Sequence, residues 1–265
     1  MRKKSVIVIL LTALILLSAA MLGVSSVYRV EFVCVNASLV SEVAKEEVEE
    51  LQTRLQTAYE KESSLSVDQT RAKEIIDDFP YFRLVSFEKS YPNRVVVSVA
   101  EDEEIYATVI PEGNAYYILN AEGTVLGIRE NYQNRSDNAP NLLITGLTAR
   151  GEKGEPLTGD DCLETLFSVC GRISNRLDGI RKNVLSVEVV RPTSLREETM
   201  FKLSMKEGVS LYLCNPFAQE EEKVKIAMDK YLSLSFEQRL RGTIVVSEQS
   251  ESVIAEYFDE EWSIS

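Results

Sequence analysis

The chain has 265 residues, with 45% hydrophobic and 27% charged side chains, 12 glycines, 7 prolines and a formal net charge of −13. This is a globular composition with room for about two domains, and a surface so acidic excludes nucleic acid and anionic lipid headgroups as natural partners. There is no histidine, which excludes Ser-His-Asp and Cys-His catalysis and histidine-containing zinc sites.

In chain order, Arg2, Lys3 and Lys4 precede a stretch without charge from Ser5 to Tyr28. As a helix it would be about 36 Å long, more than the ~30 Å hydrocarbon core of a bilayer. Three basic residues before it, against Arg29 behind it, predict a single-pass transmembrane anchor over 5–28, with the tail 1–4 cytoplasmic and everything after 28 outside the cell membrane. A cleaved signal peptide is the alternative, with Val6 to Leu17 as its apolar core and Ser18, Ala19 and Ala20 as its small-residue site. Apolar character persisting through Met21, Leu22, Val24 and Val27 favours the anchor.

Val30 to Val35 reads as a short strand. Ser41 can cap a helix whose apolar stripe is Val40, Ala44, Val48, Leu51, Leu55 and Ala58. Ser66 and Gln69 have capping-box spacing for a second helix, with Ala72, Ile75, Ile76 and Phe79 on one face. Pro80 stops it. Strands over Leu84 to Ser90 and Arg94 to Ala100 are joined by the turn sequence Tyr91-Pro92-Asn93. Together these predict two helices on one face of a three-stranded sheet.

Glu101 to Glu104 reads as a solvated acidic hinge. Strands Tyr106 to Ile110 and Ala115 to Leu119 flank the hairpin signal Pro111-Glu112-Gly113-Asn114, and a second tight turn at Asn120 to Gly123 leads into Val125 to Ile128. Polar loops cover 131–140 and 146–159. Asp160 or Asp161 starts a helix with Leu163, Leu166, Phe167, Cys170, Ile173 and Leu177 on one side. Strands return at Val184 to Val190, Met200 to Met205 and Val209 to Leu213. Asn215 and Pro216 then signal another helix, with Glu220 to Glu222 near its positive end and Val224, Met228, Tyr231 and Leu232 or Leu234 as its stripe. Two strands, Thr243 to Ser247 and Val253 to Phe258, close the domain. The tail 259–265 is acidic apart from Trp262.

Cys34, Cys162, Cys170 and Cys214 show no CxxC pair, so metal binding has little support. Cys162 and Cys170 stand eight residues apart on an expected helix, about 12 Å along its axis and too far to bridge. Buried free thiols are the expectation.

Phe79-Pro80-Tyr81-Phe82, then Glu88-Lys89-Ser90-Tyr91-Pro92-Asn93-Arg94-Val95-Val96-Val97-Ser98-Val99 with Glu101 after it, and the hairpin Tyr116 to Leu126, resemble the bacterial cell-division proteins of the FtsQ/DivIB family. In that family a Phe-Pro ends the helix, a basic residue precedes Tyr/Trp-Pro-Asn, and a valine-rich strand is followed by glutamate. Asp102 stands where the family has a basic residue, and Asn120 where it often has Asp. The resemblance implies an α+β protein: a transmembrane helix, a POTRA domain of β-α-α-β-β order over 29–100, a β-rich domain with two helices over 101–258, and the tail 259–265.

It also implies a scaffold without enzymatic activity, cofactor or metal. Such a scaffold binds FtsB/DivIC-type and FtsL-type division proteins at the septum and helps control the septal peptidoglycan synthase complex. The family's last strand can pair with a segment of the FtsB/DivIC-type partner. Here that strand is Val253, Ile254, Ala255, Glu256, Tyr257 and Phe258, with Trp262 beyond it as a candidate aromatic anchor. The signature residues are Phe79, Pro80, Tyr91, Pro92, Asn93 and Glu101. Read as a fold alone, the same strand is an ordinary covered one, Phe79-Pro80 a helix stop and Tyr91-Pro92-Asn93 a hairpin turn. The competing function is an exported cell-wall enzyme acting through paired carboxylates. A POTRA protein of the transport type is excluded, because no series of alternating barrel strands follows Glu101.

Overall fold

The computed structural model of the chain describes residues 2–38, 41–111, 113–249 and 252–262; inside the first helix the side chains of residues 2–10, 20, 22, 24 and 25 are not described. Met1, Val40, Glu112 of the hairpin turn and 263–265 of the tail therefore lie outside the described residues.

Helix α1 covers Arg2–Val27. The expected transmembrane anchor over 5–28 is corrected: among the described residues no helix is long and apolar enough to cross a membrane. A spanning helix needs about 20 consecutive apolar residues. Among the described side chains 11–19 of α1, Thr12 and Ser18 are polar. Ser18 donates its hydroxyl back to the Leu14 carbonyl at 2.8 Å.

The chain divides into two units, Met1–Asp102 and Glu103–Ser265. Beyond α1, the first contains β1 (Phe32–Ser38), α2 (Val43–Tyr59), α3 (Gln69–Asp77), β2 (Phe82–Ser90) and β3 (Arg94–Glu101). Its sheet has the order β1-β3-β2, with β1 parallel and β2 antiparallel to the central strand. Val95, Val97 and Val99 point inward at the period of two that a pleated strand imposes. They meet Leu51, Leu55 and Tyr59 of α2 and Ala72 and Ile76 of α3 in one buried cluster. Ser41 caps α2, accepting from the Ala44 amide at 3.3 Å. The cap of α3 is Asp68, whose carboxylate accepts from the Thr70 amide, not Ser66, whose hydroxyl turns back to the Ser63 carbonyl at 3.1 Å.

The second unit is a mixed sheet of nine strands. They are β4 (Tyr106–Val109), β5 (Tyr116–Leu119), β6 (Val125–Arg129), β7 (Leu142–Thr145), β8 (Val184–Val190), β9 (Met200–Met205), β10 (Ser210–Cys214), β11 (Thr243–Gln249) and β12 (Ser252–Phe258). Their spatial order is β12-β11-β10-β9-β8-β7-β4-β5-β6. Between β7 and its parallel neighbour β8 run α4 (Leu163–Arg176) and the short α5 (Ile180–Asn183). Between β10 and its parallel neighbour β11 run α6 (Glu220–Ser233) and the short α7 (Phe236–Arg239). Parallel neighbours need such crossovers, and a crossover helix comes to lie on a face of the sheet. Leu166, Val169 and Ile173 of α4 and Val224, Ala227, Met228 and Tyr231 of α6 share one core with Phe201, Leu203, Leu211, Leu213, Ile244 and Val246. Each such side chain contributes roughly 1.5–3 kcal/mol of burial.

The expected helix start at Asn215 moves to Glu220, since Asn215 and Gln219 both take left-handed backbone angles (φ 45° and 49°). The intervening turn seats Phe217 6.4 Å from the Phe201 ring, under the Arg196 guanidinium at 4.0 Å. Packing of that one aromatic outweighs the Asn-Pro start signal.

Candidate interaction edge

The signature residues of the first unit stitch its loops together. Phe79 is buried against Phe82, with the Arg54 guanidinium 5.0 Å above its ring, and Pro80 behind it is half-buried. The Tyr91 ring is exposed and meets Tyr28 edge-on at 6.3 Å. The Pro92 carbonyl accepts from the buried Ser64 hydroxyl. Asn93 donates its side-chain amide to Glu31 at 2.6 Å, while its carbonyl accepts from the Glu31 amide at 2.8 Å. Glu101 accepts from the Ser41 amide at 3.1 Å and the Ser41 hydroxyl at 2.6 Å, tying the end of β3 to the start of α2.

Glu101 to Glu104 is thus not the solvated hinge that a run of acids suggests. Asp102 pairs with Arg83 at 3.1 Å. Glu104 is buried, and its carboxylate accepts from the Arg129 guanidinium (2.6 Å), the Arg135 amide (3.0 Å) and the Asn141 side chain (3.2 Å). Those partners lie 25 or more residues away in sequence, so nothing local to the acidic run announces them.

Asp160, Asp161 and Cys162 bring three ligand-type atoms within 4.8 Å of one another. The space among them is held by Arg191, whose guanidinium lies 2.6 Å from Asp160, 3.1 Å from the Cys162 sulfur and 4.0 Å from Asp161. Desolvation alone would raise the Asp160 carboxyl. The Thr148 and Cys162 amides and the Arg191 charge outweigh it and hold the group below the usual carboxylate range. Burial pushes the Cys162 thiol up to about 11, so it stays protonated at neutral pH and is a poor nucleophile. The cluster reads as a lock between the loop ending at Asp160 and the end of β8. The described cysteines are all free thiols, Cys34 exposed, Cys162 and Cys170 buried and Cys214 between.

Four strand edges border the two sheets, and an unpaired edge invites another chain. Near its start β1 is covered by Gln56, whose side-chain carbonyl accepts from the Val33 amide at 2.8 Å. Edge strand β2 carries an irregularity between Leu84 and Ser86 that breaks its register, a feature that blunts an edge. The first half of β6 is capped by the loop 151–157: the Val125 amide donates to Glu155 at 2.9 Å, the Val125 carbonyl accepts from Gly154 at 2.8 Å, and the Leu157 amide donates to Gly123 at 3.0 Å.

β12 carries no such device. It pairs with β11 in an unbroken register from Gln249↔Ser252 to Thr243↔Phe258, and among the described residues no strand lies on its other side. No family model and no curated protein matches the chain. Val253, Ala255 and Tyr257 face the core. Ile254, Glu256 and Phe258 take the opposite face, with Glu256 and Phe258 exposed. Two of the expected contact residues are engaged within the chain. The Tyr257 hydroxyl lies 3.1 Å from Asp259 and 3.3 Å from the Gln238 and Arg241 carbonyls. Trp262 stacks edge-on against Tyr212 at 5.0 Å. Gly242, at φ 84°, lets the chain pass the end of β12: a Cβ there would stand 2.4 Å from the Phe258 carbonyl oxygen. A spacing rule in the sequence identifies β12 as a strand; its position at an edge depends on a strand order that no local pattern encodes.

Proposed function

We propose that the chain is a non-enzymatic cell-division scaffold at the septum. It binds FtsB/DivIC-type and FtsL-type division proteins by adding a partner strand to β12, and through them acts on septal peptidoglycan synthesis. The observation that carries this reading is the contrast between edges. A side chain, a register break and a loop obstruct the edges at β1, β2 and β6, whereas seven residues of β12 present their outer backbone row unobstructed among the described residues. An added strand satisfies that row, so main-chain hydrogen bonds provide affinity and alternate side chains provide choice of partner. Ile254, Glu256 and Phe258 are the side chains positioned to choose. The resemblance over residues 79–126 supplies the division role; the edge supplies the mode of binding. The two carboxylates most firmly held inside, Glu104 and Asp160, are each paired with an arginine and are unsuited to trade protons as a catalytic pair must.

The test is pull-down of an FtsB/DivIC-type partner from the same cells by the wild-type chain and by the Ile254→Lys, Phe258→Lys double variant. Capture should fall at least tenfold with the far-ultraviolet circular dichroism unchanged, and a fluorescent fusion should form a mid-cell band. Unaltered capture by the variant would remove β12 as the contact. Even staining around dividing cells would remove the division role.

A further inference from the structure

The face of the nine-stranded sheet opposite α4 and α6 carries a second feature, independent of the β12 edge. Register places Glu188, Lys202, Tyr212, Val245 and Glu256 in one row across β8 to β12. The next row runs through the small side chains of Ser204, Ser210 and Thr243 and ends at Phe258 of β12. Among the described residues no helix of this unit's core covers this face, yet Tyr212 and Val245 are 5% and 8% exposed and Thr243 is fully buried. The segment after β12 lies against Thr243 and Tyr212. Asp259 forms a two-point pair with Arg241 at 3.1 and 3.0 Å. The Glu260 carbonyl accepts from the Thr243 hydroxyl at 3.1 Å, and the Thr243 hydroxyl oxygen accepts from the Trp262 amide at 3.2 Å. Trp262 then closes edge-on against Tyr212 at 5.0 Å, while Glu261 reaches the Lys202 ammonium at 3.9 Å. Lys202 also sits over the Tyr212 ring, 5.6 Å from its centre. The Tyr212 hydroxyl first, then Glu188 and Glu261, hold its pKa above the ordinary lysine value.

We infer that Lys202, Tyr212 and Thr243 form a binding notch for a short acidic-aromatic peptide, and that the chain's own Glu261-Trp262 occupies it in cis. Each part of the notch answers one part of that ligand. The Tyr212 ring takes the indole, whose edge-to-face geometry adds to simple burial. Lys202 takes the carboxylate, and the Thr243 hydroxyl reads the backbone between them by accepting from one amide and donating to one carbonyl. The ion pairs are exposed, with side-chain exposures of 71% and 61% for Arg241 and Asp259 and 83% for Glu261. Such pairs are weak singly and screened by salt. The strap is therefore held by a few small contacts plus one aromatic seat. A ligand so weakly held stays bound because tethering gives it a high local concentration.

The chain contains one tryptophan, so its fluorescence reports the notch directly. In the full chain the emission should lie to the blue of that of a peptide spanning 259–265, and acrylamide quenching should be several-fold weaker. Tyr212→Ala should move both readings to the peptide's values. Should that variant unfold, Lys202→Glu, which changes only a partly exposed charge, should still raise quenching and lessen its salt dependence, the Arg241–Asp259 pair remaining. A chain ending at Phe258 should bind the 259–265 peptide, with its tryptophan as probe, and the full chain should not. Emission and quenching in the full chain equal to the free peptide's would overturn the inference, as would equal binding of the peptide by both chains. Neither reading depends on a division partner, so this inference and the scaffold proposal can fail separately.

Discussion

At one end of the nine-stranded sheet, β6 gives the amide and carbonyl of Val125 to the loop 151–157; at the other, β12 extends for seven residues beside β11 alone among the described residues. The first end is built to stay closed. Its loop is pinned at its far end by Asp160 and Arg191, and β6 itself is pinned by Arg129 on Glu104. The second is backed from behind, by Lys223 of α6, which is buried and donates to Glu248 and, at 2.6 Å, to the Asn215 carbonyl. The difference teaches that this fold can cover an edge when it needs to. An edge left bare among the described residues yet held in firm register is what the proposed strand addition requires, since a loose or slipping edge would be an aggregation hazard.

The comparison can be broken most severely at the closed end. Glu104→Ala removes one partner of a buried pair and strands several donors. We expect a loss of about 3 kcal/mol in unfolding free energy, measured by urea denaturation. Asp160→Asn should lose about 2 kcal/mol at neutral pH, because hydrogen bonds to a charged acceptor are replaced by weaker ones. Its pH dependence has a definite sign. The folded carboxyl titrates below its ordinary value, so its contribution is complete above roughly pH 4 and drains as pH falls through the lower folded value. The gap between wild type and Asp160→Asn should accordingly be flat at neutral pH and close in acid.

At the open end, Lys223→Met should lose about 1 kcal/mol, less than a fully buried pair would, because its partner Glu248 is one-third exposed. It should also quicken hydrogen exchange in β11 and β12. Replacing 152–156 by Gly-Gly should change stability least, by under about 1 kcal/mol, yet produce concentration-dependent association by light scattering. A cap-deleted chain that stays monomeric would mean the loop is not what protects β6.

Helical stripes were legible wherever the apolar period was long: Ala44, Leu51 and Leu55 of α2, and Leu163, Leu166, Cys170 and Ile173 of α4, are buried. Strands β2, β3 and β8 to β12 were legible from alternation or short apolar runs bounded by turns. What sequence could not reveal was set by tertiary partners. Asn215 failed as a helix cap because Phe217 packs on Phe201. Glu104 looked solvated because Arg129, Arg135 and Asn141 approach it only in the fold. The N-terminal segment read as a membrane span, and that reading is corrected among the described residues. Trp262 looked like a free anchor because nothing near it in sequence names Tyr212 as its seat.

The most direct test of the docking edge is hydrogen-deuterium exchange of the whole chain with and without the extracytoplasmic part of an FtsB/DivIC-type partner. Strand addition predicts slowed exchange at alternate amides of 252–258, with little change at β6 and in the β1-β3-β2 sheet. Protection confined to another surface, with β12 exchanging as fast as in the free chain, would contradict the account.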